Sequence, residues 1–157
     1  MTIVLRRTNS VDPHFQLLVA DLDKDLWARY PTIQQNFTPF NRIDESARVV
    51  VAYADDTPVG CGCFRAMDKE TLEIKRMYVK PESRGMGIAK SILSELEEWG
   101  KDEGFIQANL ETGNNQPEAL AVYGGAHYKQ IPNYPPYTHI AESICTVSYT
   151  HLRAHET

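Results

Sequence analysis

The sequence predicts an α/β fold: a mixed, mostly antiparallel central sheet flanked by helices. Three observations carry this expectation. Arg48 to Ala54 (RVVVAYA), Val59 to Ala66 (VGCGCFRA) and Thr71 to Val79 (TLEIKRMYV) are strand-like runs separated only by short polar turns, as in an antiparallel meander. A run of helical spacing follows and then another strand-like run, which together imply a crossover to a parallel neighbour. No repeat, low-complexity stretch or linker divides the chain.

Taken in order, Thr2 to Arg7 is a short first strand. A helix is expected over Ser10 to Tyr30, with Ser10 or Asp12 as cap, Pro13 in the first turn and Phe15, Leu18, Val19 and Leu22 on one face. The acidic stretch Asp21 to Asp25 is expected to break it in two. Pro31 to Glu45 reads as loop, and the meander follows. The next helix starts near Gly85, shows Ile88, Ile92, Leu96 and Trp99 as an apolar stripe, and is closed by Gly104. Phe105 to Glu111 returns as a strand. A short helix over Pro117 to Tyr123 and two strands, Tyr128 to Ile131 and Glu142 to Thr146, complete the expected order.

A length of 157 residues fits one domain. The net charge of -5 argues against duplex nucleic acid as the main partner, because such binders usually carry a basic face. No apolar run approaches the roughly 20 residues of a membrane span, and MTIVLRRTNSVDPHF lacks the features of a signal peptide. Cys61, Cys63 and Cys145 lack a second ligand pair at zinc-site spacing, so they read as small buried thiols and no metal is expected. A reducing, cytoplasmic setting fits. The tail VSYTHLRAHET, residues 147 to 157, resembles a translated sequencing-library adapter. The expectation is therefore a single domain over 1–146 with a truncated C-terminus, followed by a non-native tail in which His151 and His155 carry no functional weight.

The stretch Tyr78 to Leu96 (YVKPESRGMGIAKSILSEL) places two glycines and no acidic side chain at the mouth of a helix. A P-loop would need G-x-x-x-x-G-K-[ST], but Arg84 and Ala89 stand at its two glycine positions. A dinucleotide fingerprint would need a third glycine where Lys90 stands. The remaining pattern is R-x-x-G-x-A, Arg84-Gly85-Met86-Gly87-Ile88-Ala89. Glycines there let backbone N–H groups converge at a helix start, where a diphosphate fits and Arg84 and Lys90 add positive charge. A plain tight turn into a helix remains the alternative.

Together, EIKRMYVKPESRGMGIAKSILSELEEWGKDEG and LETGNNQPEALAVY resemble the GCN5-related N-acetyltransferase (GNAT) superfamily, and the likeness runs from about Val49 to Cys145. The resemblance implies the acyl-CoA N-acyltransferase fold and acetyl-CoA as donor. It implies that the backbone of Met77, Tyr78 and Val79 pairs with the pantetheine arm, and that Arg84, Gly85, Met86, Gly87, Ile88 and Ala89 hold the pyrophosphate. Val79 N–H would face the oxyanion, and Tyr123 would protonate the departing thiolate. Glu73 matches a general-base position with slight preference over Glu111, which matches another. Two departures stand out. Gln116 replaces a common asparagine near the pantetheine, and Gly124-Gly125-Ala126-His127 replaces Glu-Lys-x-Gly, putting His127 where glycine is usual, so that it either strains a positive-φ turn or points into the cleft.

The chemistry explains why a base is wanted. A lysine-type amine titrates near 10.4, so presenting it neutral at pH 7 costs about 4–5 kcal/mol, against about 1 kcal/mol for an α-amine. The acceptor implied is a small-molecule or peptide amine, bound between the loops Phe37 to Glu45 and Asn133 to Thr138, where Phe40, Tyr134 and Tyr137 are candidates to line it. A homodimer is compatible with the resemblance. A non-catalytic acyl-CoA sensor or interaction domain is the alternative from another class.

Overall fold

The computed structural model describes residues 2–30, 45–114 and 116–148. Among them are seven strands and three helices: β1 (Ile3–Thr8), α1 (Pro13–Arg29), β2 (Arg48–Ala54), β3 (Thr57–Ala66), β4 (Thr71–Val79), α2 (Ile88–Asp102), β5 (Gln107–Gly113), α3 (Pro117–Gly125), β6 (Lys129–Ile131) and β7 (Ser143–Ser148). The strands form one mixed sheet in the order β1-β2-β3-β4-β5-β7-β6. The pairs β1/β2, β2/β3, β5/β7 and β6/β7 are antiparallel, whereas β4/β5 is parallel. The chain divides into two compact units, Met1–Arg65 with Lys75–Leu96, and Ala66–Ile74 with Glu97–Thr157.

In the first unit α1 covers one face of β2 and β3. Phe15, Leu18, Val19 and Leu22 pack with Val49, Val51, Tyr53, Cys61, Cys63 and Tyr78. Strand periodicity puts Gly60 and Gly62 on the opposite face, and that face meets α2. A Cβ at Gly60 would lie 3.0 Å from both Ile92 Cδ1 and the Tyr78 carbonyl oxygen, and one at Gly62 would collide with Met77 Sδ. The C-G-C run is thus one strand with two assignments: thiols inward to α1, bare backbone toward α2. Cys61, Cys63 and Cys145 are buried free thiols.

Helix α1 starts at Pro13, later than the expected Ser10, because Asp12 takes the cap. Its carboxylate accepts from the backbone N–H groups of His14 (2.8 Å) and Phe15 (3.3 Å) and from Thr8 Oγ1 (2.9 Å). The break expected at Asp21 to Asp25 is absent. Two of those acids are paired, Asp23 with Arg76 of β4 at 2.7 Å and Asp25 with Arg29 of the same helix at 3.1 Å. Helix α2 begins at Ile88, three residues past Gly85, since Gly85 (φ +80) and Gly87 (φ +78) are left-handed and cannot be helical.

In the second unit Gly100 lets α2 press on β4, since a Cβ there would collide with Leu72 Cδ2. Gly104 (φ +95) ends the helix as expected, and β5 starts two residues later than Phe105. The last strand runs past Thr146, with Val147 opposite Asn109 and Ser148 opposite Ala108. Helix α3 extends through Gly124 and Gly125, and His127 closes it at φ +68. The loop Phe37 to Glu45 lies almost entirely outside the described residues.

Two consequences are measurable. Gly60→Val forces a side chain between Ile92 and the neighbouring backbone, and the overpacking should cost about 1–3 kcal/mol in urea unfolding. Asp12→Ala should cost about 1 kcal/mol at pH 7. Burial works to raise the Asp12 carboxyl, but the bonds from Thr8, Phe15 and His14 outweigh it and leave it below 3.8. The stability it adds is therefore complete above pH 3.8 and fades as pH falls through its lower folded value, so the two proteins should converge in acid.

Candidate active site

The first unit carries the glycine turn. A short 3₁₀ turn over Pro81–Ser83 leads from β4 to Arg84, and Lys80 N–H is anchored on the Val59 carbonyl at 2.8 Å. The first hydrogen bond into α2 runs from Ser91 N–H to the Gly87 carbonyl at 3.1 Å. The amides of Ile88, Ala89 and Lys90 thus precede the helix's own ladder. Nothing lies within 4 Å of the Cβ positions of Gly85 or Gly87, so the turn borders open space. The first turn of α2 holds no acidic residue. These are conditions under which a diphosphate can be held by backbone N–H groups and a helix dipole.

Arg84 is tied back to the strand it follows. Its Nε donates to the Val79 carbonyl at 2.9 Å, and its guanidinium lies 5.7 Å from the Tyr78 ring centroid. The side chain clamps the end of β4 to the turn, and the charge stays beside it. Met86 is exposed, Ile88 is buried beneath the helix start and Ala89 is half-buried. Met77 is half-buried; Tyr78 and Val79 are buried.

The second unit carries the titratable groups. The parallel ladder pairs Thr71 to Ile74 with Gln107 to Leu110, setting Glu73 opposite Asn109. Glu73 is only 1% exposed, and a carboxylate there needs donors. Tyr134 supplies one, its hydroxyl donating to Glu73 Oε2 at 2.9 Å. Burial first, then the charge and acceptor of Glu73, push the Tyr134 hydroxyl far up, so it remains a donor. Its loop is fixed by Asn133, whose Nδ2 donates to the carbonyls of Tyr137 (3.3 Å) and Ile140 (3.1 Å), and by the Tyr137 ring, edge-on at 5.7 Å.

Glu111, half-buried in β5, accepts from Ser143 Oγ at 2.6 Å. Tyr123 is buried near the end of α3, its ring 5.9 Å from that of Tyr128. Burial, followed by the Glu111 charge, pushes its hydroxyl well above the ordinary tyrosine value, so its proton is retained at neutral pH. Gln116 seats the start of α3. Its Oε1 accepts from Thr112 Oγ1 (2.6 Å) and Gly113 N–H (3.1 Å). Cys145 faces Glu111 in register, and its thiol is pushed up to about 11 by burial and by Glu111 and Glu73, with a bond from the Tyr134 backbone opposing. Glu73, Glu111 and Tyr123 thus belong to one unit, with both glutamates acting on one thiol and Glu111 on Tyr123. His127 is exposed and sits on the helix end.

Sequence reasoning missed the Tyr134–Glu73 bond, the Ser143–Glu111 bond and the left-handed backbone of Arg76 (φ +59). Tyr134 was legible only as a pocket aromatic, because no local pattern links residues 61 positions apart. Among the described residues there is no cluster of three or more metal-ligating side chains, and no helix long and apolar enough to cross a membrane.

A strand, an open glycine turn at the head of a helix, a parallel return strand and a tyrosine-bearing helix define an acyl-CoA N-acyltransferase fold. The sequence profile of the acetyltransferase (GNAT) family matches residues 12–127, and the chain belongs to that family. It is 28% identical over 138 residues to an IAA acetyltransferase of Azospirillum brasilense, covering 86% of this chain and 90% of that protein. Its fold is similar to that of a Klebsiella pneumoniae protein proposed to be an acyl-CoA N-acyltransferase (TM-score 0.78, 23% identity, 94% of this chain and 97% of that one). It is likewise similar to the PaiA N-acetyltransferase of Thermoplasma acidophilum, solved in complex with coenzyme A (TM-score 0.72, 18% identity, 95% and 99%).

Removing the hydroxyl in Tyr134→Phe should destabilise the protein by about 1–3 kcal/mol in urea, because it strips a donor from a buried carboxylate. In a cycle with Glu73→Gln the two losses should fall short of additive.

Proposed function

We propose that this acetyltransferase-family chain moves an acetyl group from acetyl-CoA to a primary amine, by direct attack within a ternary complex. The observation that carries the reading is the open turn at Gly85 and Gly87, left-handed at both glycines and free of acidic side chains at the helix it opens. Its fit to a diphosphate supports acyl-CoA as donor, as does the coenzyme A in the Thermoplasma relative. The backbone from Met77 to Val79 takes the pantetheine arm, Gln116 is the further residue assigned to the coenzyme, and Val79 N–H faces the carbonyl oxygen of the acyl group.

Glu73 accepts the amine's proton, directly or through water, with Tyr134 holding the carboxylate in place. Tyr123 gives a proton to the departing thiolate. A tyrosine whose hydroxyl is pushed up by burial and a nearby carboxylate holds that proton at neutral pH. Glu111 is the second carboxylate available as base. The acceptor is a small-molecule or peptide amine, and the setting is cytoplasmic.

Calorimetry with coenzyme A tests the donor site, and absence of binding would sink the reading. With an amine panel, thiol release should fall about 10²-fold or more in kcat for Tyr123→Phe. Glu73→Gln should lower kcat/KM more than Glu111→Gln does; the reverse order moves the base to Glu111. Coenzyme A binding with no turnover of any amine would instead indicate an acyl-CoA sensor.

A further inference from the structure

Arg76 carries two costs at once. It is a non-glycine residue in left-handed backbone within a strand (φ +59). Its side chain is also 9% exposed, with a buried Nε that has no hydrogen-bond partner among the described residues. A guanidinium stays charged and offers its donors in a fixed planar fork. One arm is taken, since Nη1 donates to Asp23 Oδ1 of α1 at 2.7 Å. The Cys61 thiol holds the Arg76 carbonyl at 3.4 Å, which keeps the left-handed residue in place. Nε is therefore fixed in direction and lacks an acceptor among the described residues, one residue before the backbone assigned above to the pantetheine arm.

We propose that Arg76 binds the carboxylate of the acceptor, so that the amine acetylated belongs to an amino acid. The inference rests on the transferase reading and names its substrate class. A planar carboxylate meets the Nε edge of a guanidinium with two parallel hydrogen bonds. Asp23 balances the arginine before substrate arrives. It also selects the kind of anion, because its own charge beside the guanidinium repels a doubly charged phosphate more than a singly charged carboxylate. The side chain of Asp23 is 42% exposed and that of Arg76 9%, so the pair meets solvent through Asp23.

The experiment compares the standard L-amino acids, their methyl esters and the corresponding decarboxylated amines as acceptors for the full chain with acetyl-CoA. Esters and decarboxylated amines should lose roughly tenfold or more in kcat/KM, chiefly through KM, as expected when a charged hydrogen-bond partner is removed. Arg76→Lys keeps the positive charge beside Asp23 but lacks the fork, and should bring acids and esters within about twofold of each other. Equal use of acids and esters by the unaltered protein overturns the proposal without any variant, and so does a preference that survives Arg76→Lys. Should coenzyme A bind while no amine of any kind is acetylated, the transferase reading fails instead. Calorimetry with the same amino acids then decides the carboxylate site: binding lost in Arg76→Lys supports it, and absence of binding by the unaltered protein overturns it.

Discussion

Helix α2 lies close against the sheet because positions 60 and 62 carry no side chain. The axis of the helix is thereby fixed, and the fixing is done by bare backbone. Ile92 and Leu96 fill the space that Cβ atoms on β3 would occupy. The left-handed turn at Gly85 and Gly87 inherits that placement. Glycine therefore serves two separate purposes within one unit: close approach in β3, and backbone freedom at the helix mouth.

The second unit depends on polar groups taken out of water and paired. Glu73 with Tyr134 and Glu111 with Ser143 each join a carboxylate to a hydroxyl. Such pairs stand only if their donors are held. Asn133 does this for the Tyr134 loop, through two carbonyls of that loop, and Gln116 ties the start of α3 to the end of β5. A solvated strand carboxylate would have none of this surrounding structure. That surrounding structure is what distinguishes Glu73 from a surface charge.

Much of the fold could be read from the chain because its signals are local. The limits of β2 and β4 match the sequence reading residue for residue, since short polar segments bound both runs. The helix starts were less legible. Ser10 competed with Asp12, and only tertiary geometry gave the cap to Asp12. Gly85 belonged to a motif whose helix starts three residues later. The acids at 21, 23 and 25 looked like a helix breaker because Arg76, the partner of Asp23, is remote in sequence. At the site, the residue identities were legible through the family motif, but not their partners. Tyr134 and Ser143 meet their glutamates across loops that no spacing rule connects. The left-handed arginine inside β4 has no sequence signature, since arginine shows no preference for that conformation.

The buried thiols have one more consequence. Cysteine reacts with alkylating agents as thiolate, and burial pushes Cys61 and Cys145 away from that form. Cys61 reports on the first compact unit and Cys145 on the second. Modification at each therefore waits for its surroundings to open, and the ratio of the two labelling rates measures whether the halves of the chain come apart together or in turn.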